Sequence, residues 1–103
     1  MGRIEMYVHM VWATWRRTPL IQPAIEPRLY GAMRAKCLQL DCPAVAAGGI
    51  ADHVHLLAKL HPTVTVARLA GEVKGFTSFL VGHELLPGQF FRWQERYSAR
   101  TVR

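Results

Sequence analysis

The spacing of apolar residues switches repeatedly between a period of two and a period near 3.6, and the order of those switches constrains the fold most. Over residues 4–15, Ile4, Met6, Val8, Met10 and Trp12 fall on one side and Glu5, Tyr7, His9, Val11 and Ala13 on the other. That is the pattern of a strand with one buried face. Arg16-Arg17-Thr18-Pro19 closes it, because proline cannot continue a ladder. From Glu26-Pro27 the period becomes helical: Ile25, Leu29, Ala32, Met33, Lys36, Cys37 and Leu40 trace one largely apolar stripe, with Tyr30 beside it as a packing residue. Asp41-Cys42-Pro43 ends that helix.

Residues 44–51 read as a weak, alanine-rich strand that pairs with 53–60. Gly48-Gly49 either turn this hairpin or mark a bulge, in which case Ile50-Ala51-Asp52 is the turn. His61-Pro62 stops the second of these strands. Thr63 or Thr65 then caps a helix whose apolar positions are Val66, Leu69, Ala70, Val73, Phe76 and Leu80. Beyond the Leu86-Pro87-Gly88 turn, Phe90 to Arg103 reads as a final extended stretch. The order strand, helix, strand, strand, helix, strand specifies an α+β fold, a ferredoxin-like βαββαβ sandwich with two helices on one face of an antiparallel sheet.

A chain of 103 residues, half of them hydrophobic, suits one globular domain with a single modest core. No apolar run is long enough to span a bilayer, and the N-terminus reads directly into a strand, so no signal peptide is expected. Cys37 and Cys42 lack zinc-type spacing, so reduced thiols in a cytoplasmic protein are expected. The net charge of +6 favours a polyanionic partner, most simply nucleic acid, although solubility alone accounts for such a charge in many small proteins.

The chemistry centres on Asp52-His53-Val54-His55-Leu56-Leu57. On a strand His53 and His55 point the same way, about 7 Å apart along the chain, and can share one divalent ion if other ligands complete its shell. Two histidines are too few for a closed structural zinc site, so the pair describes an open site suited to metal-assisted work on a phosphate. The ordinary alternative is two half-exposed strand residues. His9 lies on the polar face of the first strand; it approaches the metal site if His53 and His55 share that face, and is otherwise expected to be a hydrogen-bonded surface histidine. His83 has no ligand role.

Asp-His-Val-His-Leu-Leu at 52–57 resembles the core motif of the single-tyrosine HUH transposases, the small insertion-sequence enzymes and their REP-associated relatives. Val73-Lys74-Gly75 with Ser78 is similar to their lysine-glycine helix, and Phe91-Arg92-Trp93-Gln94-Glu95-Arg96-Tyr97 to their aromatic-Trp-Gln-x-x-Tyr strand. Tyr7-Val8-His9 and Thr14-Trp15-Arg16-Arg17 fit the first strand and its turn. Arg96 departs from the glycine usual before the strand tyrosine.

The resemblance implies a DNA transposase that binds single-stranded or hairpin DNA as a homodimer. In that reaction a divalent metal, Mg²⁺ or Mn²⁺, held by His53 and His55 assists a tyrosine that attacks a phosphodiester. That tyrosine rides on a helix beyond the last strand, where a glutamine can add a third ligand. The chain stops at Arg103, so residues 1–103 are expected to form one domain lacking the tyrosine helix, and Tyr97 matches the strand tyrosine and is only a substitute candidate for the nucleophile. The nucleic-acid contacts expected are Arg16 and Arg17 at the first turn (otherwise a solvated turn), Lys74 on the second helix (otherwise a solvated lysine), and Arg92, Arg96 and Arg100, which fall at spacing four on one face opposite Phe91, Trp93 and Tyr97, rings expected to lie mostly in the core.

A second reading needs the same basic face and no nucleophile: a non-catalytic DNA or RNA hairpin-binding module. An RNA-recognition-motif domain shares the fold, but the aromatic-rich glycine motif of that type is missing from a central strand. Phosphate-transferring histidine enzymes fit poorly. A histidine triad needs a third histidine where Leu57 stands, and the repeated His-x-Thr/Ser of two-histidine phosphoesterases does not occur.

Overall fold

The computed structural model describes residues 5–102. Its elements are β1 (Met6–Ala13), α1 (Glu26–Gln39), β2 (Ala44–Ile50), β3 (His53–Leu60), α2 (Val66–Leu80) and β4 (Ser98–Val102). The four strands form one antiparallel sheet in the order β2-β3-β1-β4. The alternation expected for the first strand holds, although Ile4 lies outside the described residues.

Register decides which side chains share a face. Across β1 and β3, His9 pairs with Leu57, Val11 with His55 and Ala13 with His53. Val8, Met10 and Trp12 therefore share the opposite face with Val54, Leu56 and Ala58, and all six are buried. Against them pack Leu29, Met33 and Cys37 of α1 and Leu69, Ala70 and Val73 of α2. Both helices thus cover one face, as the ferredoxin-like reading requires, and the histidines occupy the other.

The hairpin turns at Ala51–Asp52, and the bulge lies at the start of β2, between Ala44 and Ala46. Gly49 stays inside the strand because the chain folds so closely on itself there. A Cβ on it would meet the backbone of His53 and stand 2.8 Å from the Val54 Cα. Of the two candidate caps of α2, Thr65 serves, its hydroxyl accepting from the Arg68 N–H at 3.0 Å.

Two expectations are corrected. Phe76, expected on the buried stripe of α2, is 37 % exposed, and Thr77 takes the buried position. Residues 91–97 do not form a strand. Only Trp93 makes an isolated bridge, to Thr14, and the ladder with β1 begins at Ser98. The reason is the side chain of Trp93, which is drawn into the core. Its indole N–H donates to the Thr77 hydroxyl at 2.9 Å, and its ring meets Trp12 edge-on at 5.8 Å. The backbone on either side follows that anchor, with the Arg92 carbonyl accepting from the Trp15 N–H and the Gln94 N–H donating to the Ala13 carbonyl.

Candidate metal and nucleic-acid site

Asp52, in the hairpin turn, orients the first histidine of the pair. Its Oδ1 lies 2.9 Å from Nδ1 of His53, and its Oδ2 lies 3.3 Å from Nε of Arg17. The bond to His53, and secondarily the Arg17 guanidinium, hold the Asp52 carboxyl below the usual carboxylate range against the opposing effect of burial. An ionised carboxylate only accepts, so Nδ1 of His53 is the donor, and in the neutral ring the lone pair is then on Nε2. This is the arrangement in which a carboxylate fixes the tautomer and orientation of a metal-binding imidazole.

His55 is oriented from the neighbouring strand. Its Nδ1 is 3.1 Å from Nε2 of His9, and the two rings stack at 5.3 Å with an interplanar angle of 15°. Burial, then the neighbouring His53 and His9, push the His55 pKa down, favouring the neutral form that a ligand needs. His9 is indeed a hydrogen-bonded histidine, and the shared face makes its partner His55. Sequence spacing made this approach conditional on a shared face, and the β1–β3 register supplies that condition.

The rings of His53 and His55 have centres 5.2 Å apart at 64°. Two imidazoles on one ion, with metal–nitrogen distances of about 2.1 Å and near-tetrahedral angles, have centres roughly 5 Å apart. The ring spacing of the pair equals that of two imidazoles sharing one ion. Among the described residues no group of three or more His, Cys, Asp or Glu is arranged to hold a metal, so the remaining ligands would have to be water, phosphate oxygens or groups outside residues 5–102.

Both histidines open into a cleft of about 420 Å³ whose other walls include Val11, Arg17, Gln94, Arg96, Tyr97 and Ser98. Tyr97, immediately before β4, is partly exposed on this cleft. Behind it, Lys74 of α2 donates to the carbonyls of Gln94 at 2.6 Å and Glu95 at 2.9 Å. Burial pushes the Lys74 pKa down, with Glu95 pulling the other way. Lys74 thus holds the segment that carries Arg96 and Tyr97, a role that helical spacing did not suggest.

The expected basic face is only partly assembled as foreseen. Arg100 sits in β4 opposite His9, on the histidine face of the sheet. Arg92 and Arg96 belong to the irregular segment before it, so the three arginines do not form a row on one strand, and Phe91, Trp93 and Tyr97 do not form its other face. Arg16 and Arg17 occupy a tight turn with φ of 53° and 56°. Arg17, Arg96 and Arg100 border the histidines, while Arg16 and Arg92 lie on the far side of Gln94.

No helix among the described residues is long and apolar enough to cross a membrane. The family profile described as "Transposase IS200 like" matches residues 3–103. A Deinococcus radiodurans R1 protein whose crystal structure is described as that of a candidate transposase superposes with a TM-score of 0.87 at 22 % identity, covering 100 % of this chain and 85 % of that one. A REP-associated tyrosine transposase solved bound to a REP hairpin superposes with a TM-score of 0.62 at 18 % identity, covering 95 % of this chain and 56 % of that one. Among curated proteins none matches.

Proposed function

The chain belongs to the IS200-like transposase family, and on that footing we propose that it binds single-stranded or hairpin DNA at the histidine face and serves metal-assisted strand cutting and rejoining. One observation carries the reading: two imidazoles, each fixed from behind by Asp52 or His9, stand 5.2 Å apart beside a cleft bordered by Arg17 and Arg96. The hairpin-bound relative supports the choice of DNA.

In this reading Arg16, Arg17, Arg92, Arg96 and Arg100 engage phosphates, and Arg17 also holds Asp52 in place. Lys74 keeps residues 94–97 against the cleft. His53 and His55 would hold the metal through Nε2, and imidazole donors favour Mn²⁺ over Mg²⁺. When bound, the ion polarises the scissile phosphodiester and offsets charge on the leaving oxygen. Tyr97 is held beside β4 and lines the cleft without attacking. By the resemblance, the attacking group would be a tyrosine on a helix after the last strand, and among the described residues no helix follows β4. We further place the protein in the cytoplasm as a homodimer. The free, buried Cys37 and Cys42 suit a reducing compartment, and the two edge strands, β2 and β4, are open to pairing.

A covalent-adduct assay tests this. The protein is mixed with labelled hairpin DNA and Mn²⁺ and run on a denaturing gel, beside His53→Ala and Tyr97→Phe. Binding without an adduct is expected for residues 1–103 alone, with weaker binding in Mn²⁺ for His53→Ala. That same result suits the second reading, a non-catalytic hairpin binder, and a chain extended by the tyrosine helix separates the two. An adduct lost in Tyr97→Phe would overturn the role given to Tyr97.

A further inference from the structure

On the other side of Gln94 and Arg96 from the histidines lies a second cleft of about 250 Å³, bordered also by Trp15, Arg16, Arg92 and Glu95. Gln94 and Arg96 line both clefts, so these two residues lie between them. Resting on the DNA-binding reading above, we propose that this cleft takes one unpaired nucleobase of a single DNA strand, from a nucleotide next to the phosphate engaged at His53 and His55.

The cleft offers a stacking platform. The Arg16 guanidinium carbon lies 4.3 Å from the centre of the Trp15 ring, and Phe90 meets the same indole edge-on at 5.4 Å and 70°. Indole and guanidinium planes are the surfaces on which unpaired bases stack, whatever the base. The volume falls below the roughly 300–1,000 Å³ of ordinary small-molecule sites and suits one flat ring.

The backbone is arranged around this platform at a cost. Arg16 and Arg17 are consecutive non-glycine residues in the left-handed region, at φ 53° and 56°. Such conformations persist where the surroundings over-determine them, and they cluster at functional sites. Here the Arg16 N–H donates to Oε1 of Gln94 at 3.1 Å and the Trp15 N–H to the Arg92 carbonyl at 2.9 Å. The turn puts the Arg16 side chain over Trp15 while Arg17 reaches Asp52.

The rim is rich in donors. A backbone N–H can only donate, so the Gln94 amide oxygen faces Arg16 and its NH₂ group is left to donate elsewhere. Arg16, Arg92 and Arg96 add guanidinium donors, and among the described residues none of the three is in an ion pair. Three unpaired positive charges around one small cleft, with Glu95 as the only lining carboxylate, leave room for a flanking phosphate and for the acceptor edge of a base. Since Gln94 and Arg96 also face the histidines, a base here and a phosphate there belong to neighbouring nucleotides.

The test uses a DNA hairpin with a short single-stranded extension, in which each extension base is replaced in turn by an abasic site. Affinity is read by fluorescence anisotropy. One position is expected to lose roughly five- to hundredfold on base removal, the range of one base–aromatic stack. In Trp15→Ala that penalty disappears. Arg16→Gly, which accepts the positive φ without a Cβ, is a second variant expected to reduce the penalty while keeping the turn. A flat abasic profile on a hairpin that still binds overturns the base cleft alone. A penalty that persists undiminished in both variants places the base elsewhere and also overturns it. A sensitive position found only in an RNA strand overturns the assignment to DNA, and failure to bind any hairpin overturns the DNA-binding reading beneath it.

Discussion

Oδ1 of Asp52 lies 2.9 Å from Nδ1 of His53, so a residue that donates nothing to a metal fixes the orientation of one that would. Losing such a carboxylate typically costs about 10–100-fold in metal affinity. Asp52→Ala is expected to weaken Mn²⁺ binding by that factor, measured by calorimetry, with the far-ultraviolet dichroism unchanged. Unaltered affinity would show that the Asp52–His53 bond serves the hairpin turn alone.

Lys74 predicts a local effect on the other wall. Its two bonds to the Gln94 and Glu95 carbonyls are charge-assisted but only partly buried. Lys74→Met should therefore lower stability by about 1.5–2 kcal/mol, the lower part of the range for bonds to charged groups. Amide exchange at Arg96 and Tyr97 should rise together with that loss. Unchanged exchange there would mean that Trp93 alone holds the segment.

Gly48 and Gly49 are adjacent but should respond very differently to the same change. A Cβ at Gly48 meets nothing within 4 Å, whereas at Gly49 it runs into the His53 backbone. Gly48→Ala is expected to be close to neutral. Gly49→Ala should cost about 2 kcal/mol or more by urea titration, because backbone atoms cannot move aside as a flexible side chain can. Equal effects at both positions would contradict the tight hairpin described here.

Two buried groups set the behaviour in alkali. Burial, with a smaller contribution from Cys42, pushes the Cys37 thiol up from 9.0 to about 11. Burial and then Glu26 raise Tyr30 above its ordinary 10.0. In each case the unfolded chain releases its proton first. The contribution is therefore complete below the ordinary value and is lost as pH rises through the raised one. The urea midpoint should fall between pH 9 and 11, less steeply in Cys37→Ala. Tyr30→Phe should flatten the fall above pH 10. At pH 7 it should be neutral or slightly stabilising, since the Tyr30 hydroxyl is buried without a partner. A loss above about 1 kcal/mol would mean that the hydroxyl has a partner in solution.

The sequence by itself determined the order of elements, the buried face of β1 and the placing of His53 and His55 on one common face of β3, because strand and helix periods are local properties. It also placed an acidic residue directly before the pair. Helical spacing misjudged Phe76, which the stripe included and the packing left partly exposed in favour of Thr77. Only the tertiary structure decided that His9 meets His55, since that contact depends on β1–β3 register between residues 46 apart in sequence. Tertiary contacts likewise kept residues 91–97 out of the sheet: the Trp93–Thr77 bond and the Lys74 bonds to Gln94 and Glu95 outweigh a β-like local pattern, and neither partner is visible from within the segment. Arg92 therefore lines the second cleft and Arg96 both, instead of forming one row with Arg100. A local pattern encodes which way a side chain faces on an element, while the path of an irregular segment is set by the distant groups that anchor it.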